Sequence, residues 1–115
     1  MAREIKFRAW HDDLKEMFFF DLWIPWEAES KNGNMYYTKN MEFMQYTGLT
    51  DKNGVEIYEG DIVSINNETS ALWKVIFSNG CFDMVSTSMQ MRLNTGHLRI
   101  EIIGNIHENK DLLNE

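Results

Sequence analysis

The stretch at residues 44–65 limits the fold of this chain more than any other, because it packs two tight turns around a short alternating strand. Within it, Asn53-Gly54 is a dipeptide that favours positive φ at both positions, the signature of a two-residue hairpin turn. Val55 and Ile57 then alternate with Glu56 and Tyr58, which predicts a strand with Val55 and Ile57 inward and Tyr58 outward. Gly60-Asp61 supplies a second turn, leading into the apolar residues Ile62, Val63 and Ile65. A chain organised this way is built from antiparallel strands.

The remaining residues repeat the theme. Ile5, Phe7 and Ala9 alternate with Lys6, Arg8 and Trp10, giving a strand with one aliphatic and one charged face. Residues 11–16 are polar and read as a turn; residues 17–24 read as a more continuously apolar strand with Phe18, Phe20 and Leu22 on one face. Residues 27–34 have the composition of a surface loop, and residues 35–38 form a short strand candidate. Residues 66–70 read as a polar loop. Trp73, Val75 and Phe77 then share a strand face, Ser78-Asn79-Gly80 turns the chain, and residues 81–85 return antiparallel with Phe82 and Met84 inward. Residues 86–95 fit either a loop or a weak helical turn. Leu98, Ile100 and Ile102 mark the inner face of a last strand ending near Gly104. Residues 107–115 are the one helix candidate, with Asn109 as cap and Asp111 in the first turn. Closely spaced strands joined by tight turns argue for a small antiparallel barrel or roll.

A chain of 115 residues fits one domain. Within it we expect an N-terminal β subdomain over about 1–44, a barrel-like part over about 45–106 and a helical tail over 107–115. Cys81 is the single cysteine, which rules out an intramolecular disulfide and a thiolate zinc site and suits a reducing compartment. The start lacks the apolar core of a signal peptide, and no 18-residue apolar run is present, so the expected location is the cytoplasm, without membrane contact. A net charge of −7 speaks against broad affinity for nucleic acid, although Lys6 and Arg8 could form a local basic patch.

Several motifs together carry a family resemblance. They are Ile5-Lys6-Phe7-Arg8-Ala9-Trp10, Met44-Gln45-Tyr46-Thr47-Gly48-Leu49 with Asp51-Lys52-Asn53-Gly54, and Ile57-Tyr58-Glu59-Gly60-Asp61-Ile62-Val63. The closing Ile103-Gly104-Asn105-Ile106-His107-Glu108-Asn109 with Leu112-Leu113 completes them. In this order they resemble the YopX family of small phage and prophage proteins over nearly the whole chain. The resemblance implies an all-β or α+β protein with an SH3-like barrel in its C-terminal part, an origin in a phage or prophage, and residence in the host cytoplasm. It brings no reaction and no catalytic residues. His11 and Lys110 depart from the aspartate and proline that the family tends to carry there; the second removes only a preset φ at the helix's first position.

The chemistry-bearing residues support binding better than catalysis. Asp51, Glu56, Glu59 and Asp61 are close in sequence, but an EF-hand needs glycine sixth and glutamate twelfth in its loop, and Gly54 falls fourth. Asp51 and Asp61 are better explained as turn residues bonding nearby backbone N–H groups. His11, His97 and His107 lack metal-ligand spacing, and Cys81 has no positioned base nearby. No catalytic, metal or cofactor site is implied. Trp10, Tyr46 and Tyr58 lie on or beside strands and, with Lys6 and Arg8, form the candidate binding surface, although packing is the better account of the aromatics, since periodicity explains most of their positions. Met35, Met41, Met44, Met84, Met89 and Met91 either line an adaptable contact surface or fill an irregular core. The expected function is therefore a non-enzymatic module that contacts a host or phage protein and self-associates through open strand edges, with nucleic-acid binding as the alternative.

Overall fold

The computed structural model describes residues 4–113. It is mainly β, with eleven antiparallel strands and two short 3-10 turns among those residues. The chain divides into two compact units, one ending at Tyr46 and the other beginning at Thr47.

In the first unit, β1 (Phe7–His11) is flanked on both edges. Phe7 lies opposite Phe20 of β2 (Glu16–Phe20) on one side and opposite Gln45 of β5 (Glu42–Thr50) on the other. Ala9, Phe18 and Met41 form the core, with Leu14, Phe20, Ala28 and Tyr36 packed around them. The expected wet face of β1 is absent: Arg8 and Trp10 are buried along with Ala9. Period-2 alternation reports which side chains share a face, and says nothing about whether that face meets water. β2 also stops earlier than expected, at Phe20, and Leu22 is 71% exposed instead of continuing the face of Phe18. The expected loop at 27–34 contains a strand. β3 (Glu27–Glu29) pairs with β4 (Met35–Tyr37) in a two-stranded ribbon, and a 3-10 turn, Thr38–Asn40, follows.

In the second unit, β7 (Asp61–Ile65), β8 (Glu68–Ser78), β9 (Cys81–Val85), β10 (Gln90–Arg92) and β11 (Ile100–Asn105) form one sheet in the order β10-β9-β8-β7-β11. β6 (Glu56–Tyr58) runs beside β5, where the Thr47 hydroxyl donates to the Ile57 carbonyl at 2.8 Å. The core is Ile57, Val63, Trp73, Val75, Met84, Leu93 and Ile100, and each buried aliphatic there is worth about 1.5–3 kcal/mol. Trp73, Val75 and Met84 point inward as their spacing predicts; Phe77, at the strand's end, is half exposed.

Turn chemistry sets the registers. Asn79 and Gly80 have φ of 52° and 81°, the paired left-handed geometry of a two-residue hairpin, and Ser78 lies opposite Cys81. Asn66 and Asn67 adopt the same geometry at 52° and 64°, so β8 starts at Glu68 and the expected loop over 66–70 shrinks to a turn. The Asp51–Gly54 turn differs from expectation, because among the described residues only Gly54 of the Asn53-Gly54 pair has positive φ. The Gly54 N–H donates to the Asp51 carbonyl at 3.0 Å and the Asp51 N–H to the Val55 carbonyl at 2.8 Å, a type I turn closed by a left-handed glycine. The longer loop moves Val55 out to solvent and places both Ile57 and Tyr58 inside, reversing the expected exposure of Tyr58.

At the other end, residues 90–92 of the expected loop over 86–95 form β10. The tail carries no α-helix among the described residues, only a 3-10 turn at Lys110–Leu113; residues 114–115 lie outside them. A segment of nine residues is too short to hold helix without extensive packing. Asn109 is spent instead on a local bond, accepting from the Asn105 N–H at 3.1 Å.

Candidate binding surfaces

Of the five residues expected to form a binding surface, four are interior. In the first unit, Arg8, Trp10 and Tyr46 are buried, the indole N–H of Trp10 donating to Asp12 at 3.3 Å. Lys6 keeps a fifth of its side chain exposed, lies 3.5 Å from Glu4, and holds its ammonium 5.4 Å from the Tyr46 ring centre. The structure therefore brings Lys6 and Tyr46 together, their strands joined by the Tyr46 N–H donating to the Lys6 carbonyl at 3.0 Å. Tyr58, in the second unit, is 4% exposed, with its hydroxyl 3.4 Å from Glu56. These aromatics pack their units.

Asp51 and Asp61 are architectural. Asp51 is 7% exposed and accepts three backbone bonds: from Asn53 at 2.8 Å and Val55 at 2.9 Å on one oxygen, and from Ile102 at 3.0 Å on the other. It closes its own turn and ties that turn to β11. Asp61, fully buried, accepts from the Tyr58 N–H at 2.8 Å across the Glu59-Gly60 turn. Among the described residues no three His, Cys, Asp or Glu side chains are placed to share a metal ion. His11 accepts from the Leu14 N–H at 3.2 Å and stacks edge-on to Tyr36, His97 is exposed, and Cys81 is half-buried just after its turn. The methionines divide between both expected roles: Met41, Met44 and Met84 are core, Met35 and Met89 are exposed.

The surface that periodicity missed is the loop at residues 21–26 of the first unit. Leu22, Trp23 and Trp26 are 71%, 75% and 86% exposed. The loop is not loosely attached. The Thr38 N–H donates to the Trp26 carbonyl at 2.8 Å, and the Thr38 hydroxyl lies 2.6 Å from the Pro25 carbonyl and 3.0 Å from that of Trp26. Ile24, Pro25 and Trp26 line a shallow cleft with Lys39 and Phe43, of about 370 Å³. At roughly 250 Å² for a whole Trp side chain, Trp23 and Trp26 alone present about 400 Å² of apolar area. The available signal was Asp21 and Pro25 interrupting an apolar run: both residues are poor in strands, so the aromatics beyond Phe20 had no strand face to occupy.

No helix of the described residues is long and apolar enough to cross a membrane. None of the curated proteins compared matches the chain. A crystal structure of protein EF1440 from Enterococcus faecalis shares the fold at a TM-score of 0.68 and 26% identity, covering 97% of this chain and 99% of that one. The family described as "YopX protein" matches residues 6–114. The match runs over nearly the whole sequence, and the chain belongs to the YopX family.

Proposed function

We propose that the protein is a non-enzymatic binding module, a phage or prophage accessory protein of the host cytoplasm, acting through protein–protein contacts. The observation that carries this reading is the solvent-facing loop with Leu22, Trp23 and Trp26 outward, held at its Pro25–Trp26 end by Thr38. Tryptophans are over-represented among the side chains that dominate interface energies, and a surface held in place before binding loses less entropy on docking. Two of the clustered carboxylates, Asp51 and Asp61, are engaged by backbone N–H groups, which supports binding over catalysis. We read the five-stranded sheet of the second unit as an SH3-like barrel, a framework that presents loops and edges to partners. Self-association through the same apolar loop is part of the proposal.

Nucleic-acid binding through Lys6, Arg8 and the neighbouring aromatics is the weaker reading, since Arg8, Trp10, Tyr46 and Tyr58 are buried and the chain carries a net charge of −7. A low-salt mobility shift separates the two. Protein contact leaves DNA and RNA unshifted, and a shift abolished by Lys6→Glu would favour the alternative.

A further inference from the structure

In the second unit, β8 outruns its neighbour. β9 ends at Val85 opposite Lys74, and no described strand pairs with residues 68–73 of β8 on that side. At about 3.3 Å per residue this leaves roughly 20 Å of strand without a β neighbour on that side; within it the Ser70 N–H is engaged by the Glu68 carboxylate, and the pairing with β7 shifts register between Trp73 and Glu68. Beside this edge lies a cavity of about 370 Å³, at the lower end of the size of ligand sites. It wraps from the edge at Thr69 and Ala71 onto the outer sheet face, where Leu72, Val85, Leu112 and Leu113 give an apolar lining. Among the described residues Lys74 is the one charged side chain that lines it, half-buried and on the face opposite the core residues Trp73 and Val75. Ser86 and Thr87 add hydroxyl groups at the rim.

We infer that this edge and cavity bind an extended segment of a partner protein, which adds as a strand along residues 68–73 in line with β9. It seats an apolar side chain between Leu72 and Leu113 and an acidic group at Lys74. The backbone edge gives affinity to any extended chain, and the pocket beside it selects side chains at alternate positions, the division of labour in strand addition. An acid is specified by charge complementarity with Lys74, and an extended backbone by the length of unpaired edge. The edge and cavity share no residue with the loop at residues 21–26, so failure of one reading leaves the other standing.

The test pans a random-peptide display library against the full immobilised chain at about 0.15 M salt, where the Debye length is about 8 Å and the acidic protein repels acidic peptides only weakly. The expected result is enrichment of sequences alternating apolar residues with one Asp or Glu. The winning synthetic peptide should slow deuterium uptake at residues 69–72, lose binding when its alternate amides are N-methylated, and bind Lys74→Glu at least about tenfold more weakly. The same peptide with Lys in place of its acid should gain affinity for Lys74→Glu. Trp23→Ala/Trp26→Ala should leave all of this unchanged. No enrichment, binding indifferent to N-methylation, or equal affinity for Lys74→Glu overturns the inference. If that variant does not fold, deuterium uptake in the wild-type chain and the N-methylated peptide decide alone. A concentration-dependent dimer that protects residues 69–72 and excludes every peptide also overturns it, assigning the edge to a second copy.

Discussion

Replacing Asp51 probes the claim that the most recognisable segment of the chain is architectural. Its carboxylate accepts from Asn53, Val55 and Ile102, and bonds to a charged acceptor contribute about 1.5–3 kcal/mol each where water cannot substitute. The Asn53 and Val55 amides lie in an exposed loop, so water replaces their lost partner and each loss is held to about 0.5–1 kcal/mol. The Ile102 amide is part-buried and loses more, about 1–2 kcal/mol. Asp51→Ala should therefore cost about 3 kcal/mol. Asp51→Asn keeps an acceptor for the loop but turns an N–H₂ toward the Ile102 N–H, for a cost of about 2 kcal/mol. In a unit of this size each kcal/mol lowers the melting temperature by about 4–8 °C, so the alanine variant should melt at least about 10 °C lower. Urea unfolding followed by the methyl signals of Val63 and Ile100 isolates the second unit, and amide exchange at Ile102 reports the bond itself. A loss below about 0.5 kcal/mol for Asp51→Asn, with Ile102 exchange unchanged, would refute the reasoning.

Other expectations follow from single contacts. A methyl group on Gly104 would sit 2.5 Å from the Asn109 side-chain oxygen, so Gly104→Ala should destabilise by about 1–3 kcal/mol, and Asn109→Gly should relieve most of that penalty in a double-mutant cycle. Lys15 holds φ at 55°, a conformation costing a non-glycine residue about 1 kcal/mol, so Lys15→Gly should melt at or above the wild-type temperature despite losing an exposed pair with Asp12. Glu68 accepts from the Ser70 hydroxyl and N–H, which holds its carboxyl below the usual glutamate range. The sign is that of a depressed acid: the interaction is present above the unfolded pKa and lost as pH falls through the folded one. A carbon-detected titration should give a midpoint below that of an ordinary Glu, rising toward it in Ser70→Ala.

What the sequence made legible was local. Asn79-Gly80 announced its hairpin, and the inward spacing of Trp73, Val75 and Met84 held because that short turn fixes an unbroken register between β8 and β9, whereas the pairing of β8 with β7 shifts register between Trp73 and Glu68. The Asp51–Gly54 loop was legible as a turn and not as a type, because the Asp51 side chain competes for the amides that decide it. The burial of Arg8, Trp10 and Tyr58 was out of reach, since it depends on what covers a face and no spacing encodes that. The same gap hid the functional candidate. Four of the five residues chosen as a surface pack the interior, while Trp23, read as part of a strand, and Trp26, left between the expected strand and loop, stand in solvent.

That displacement makes the loop at residues 21–26 the account's central claim, and affinity capture from prophage-induced or infected cells tests it most directly. Wild-type protein is compared with Trp23→Ala/Trp26→Ala, whose stability should stay within about 0.5 kcal/mol because neither ring is buried. A specific protein, or a second copy of the chain, should be retained by the wild type and lost from the double variant at equal loading. Identical captured sets from the two proteins, or retention of nucleic acid alone, would contradict it.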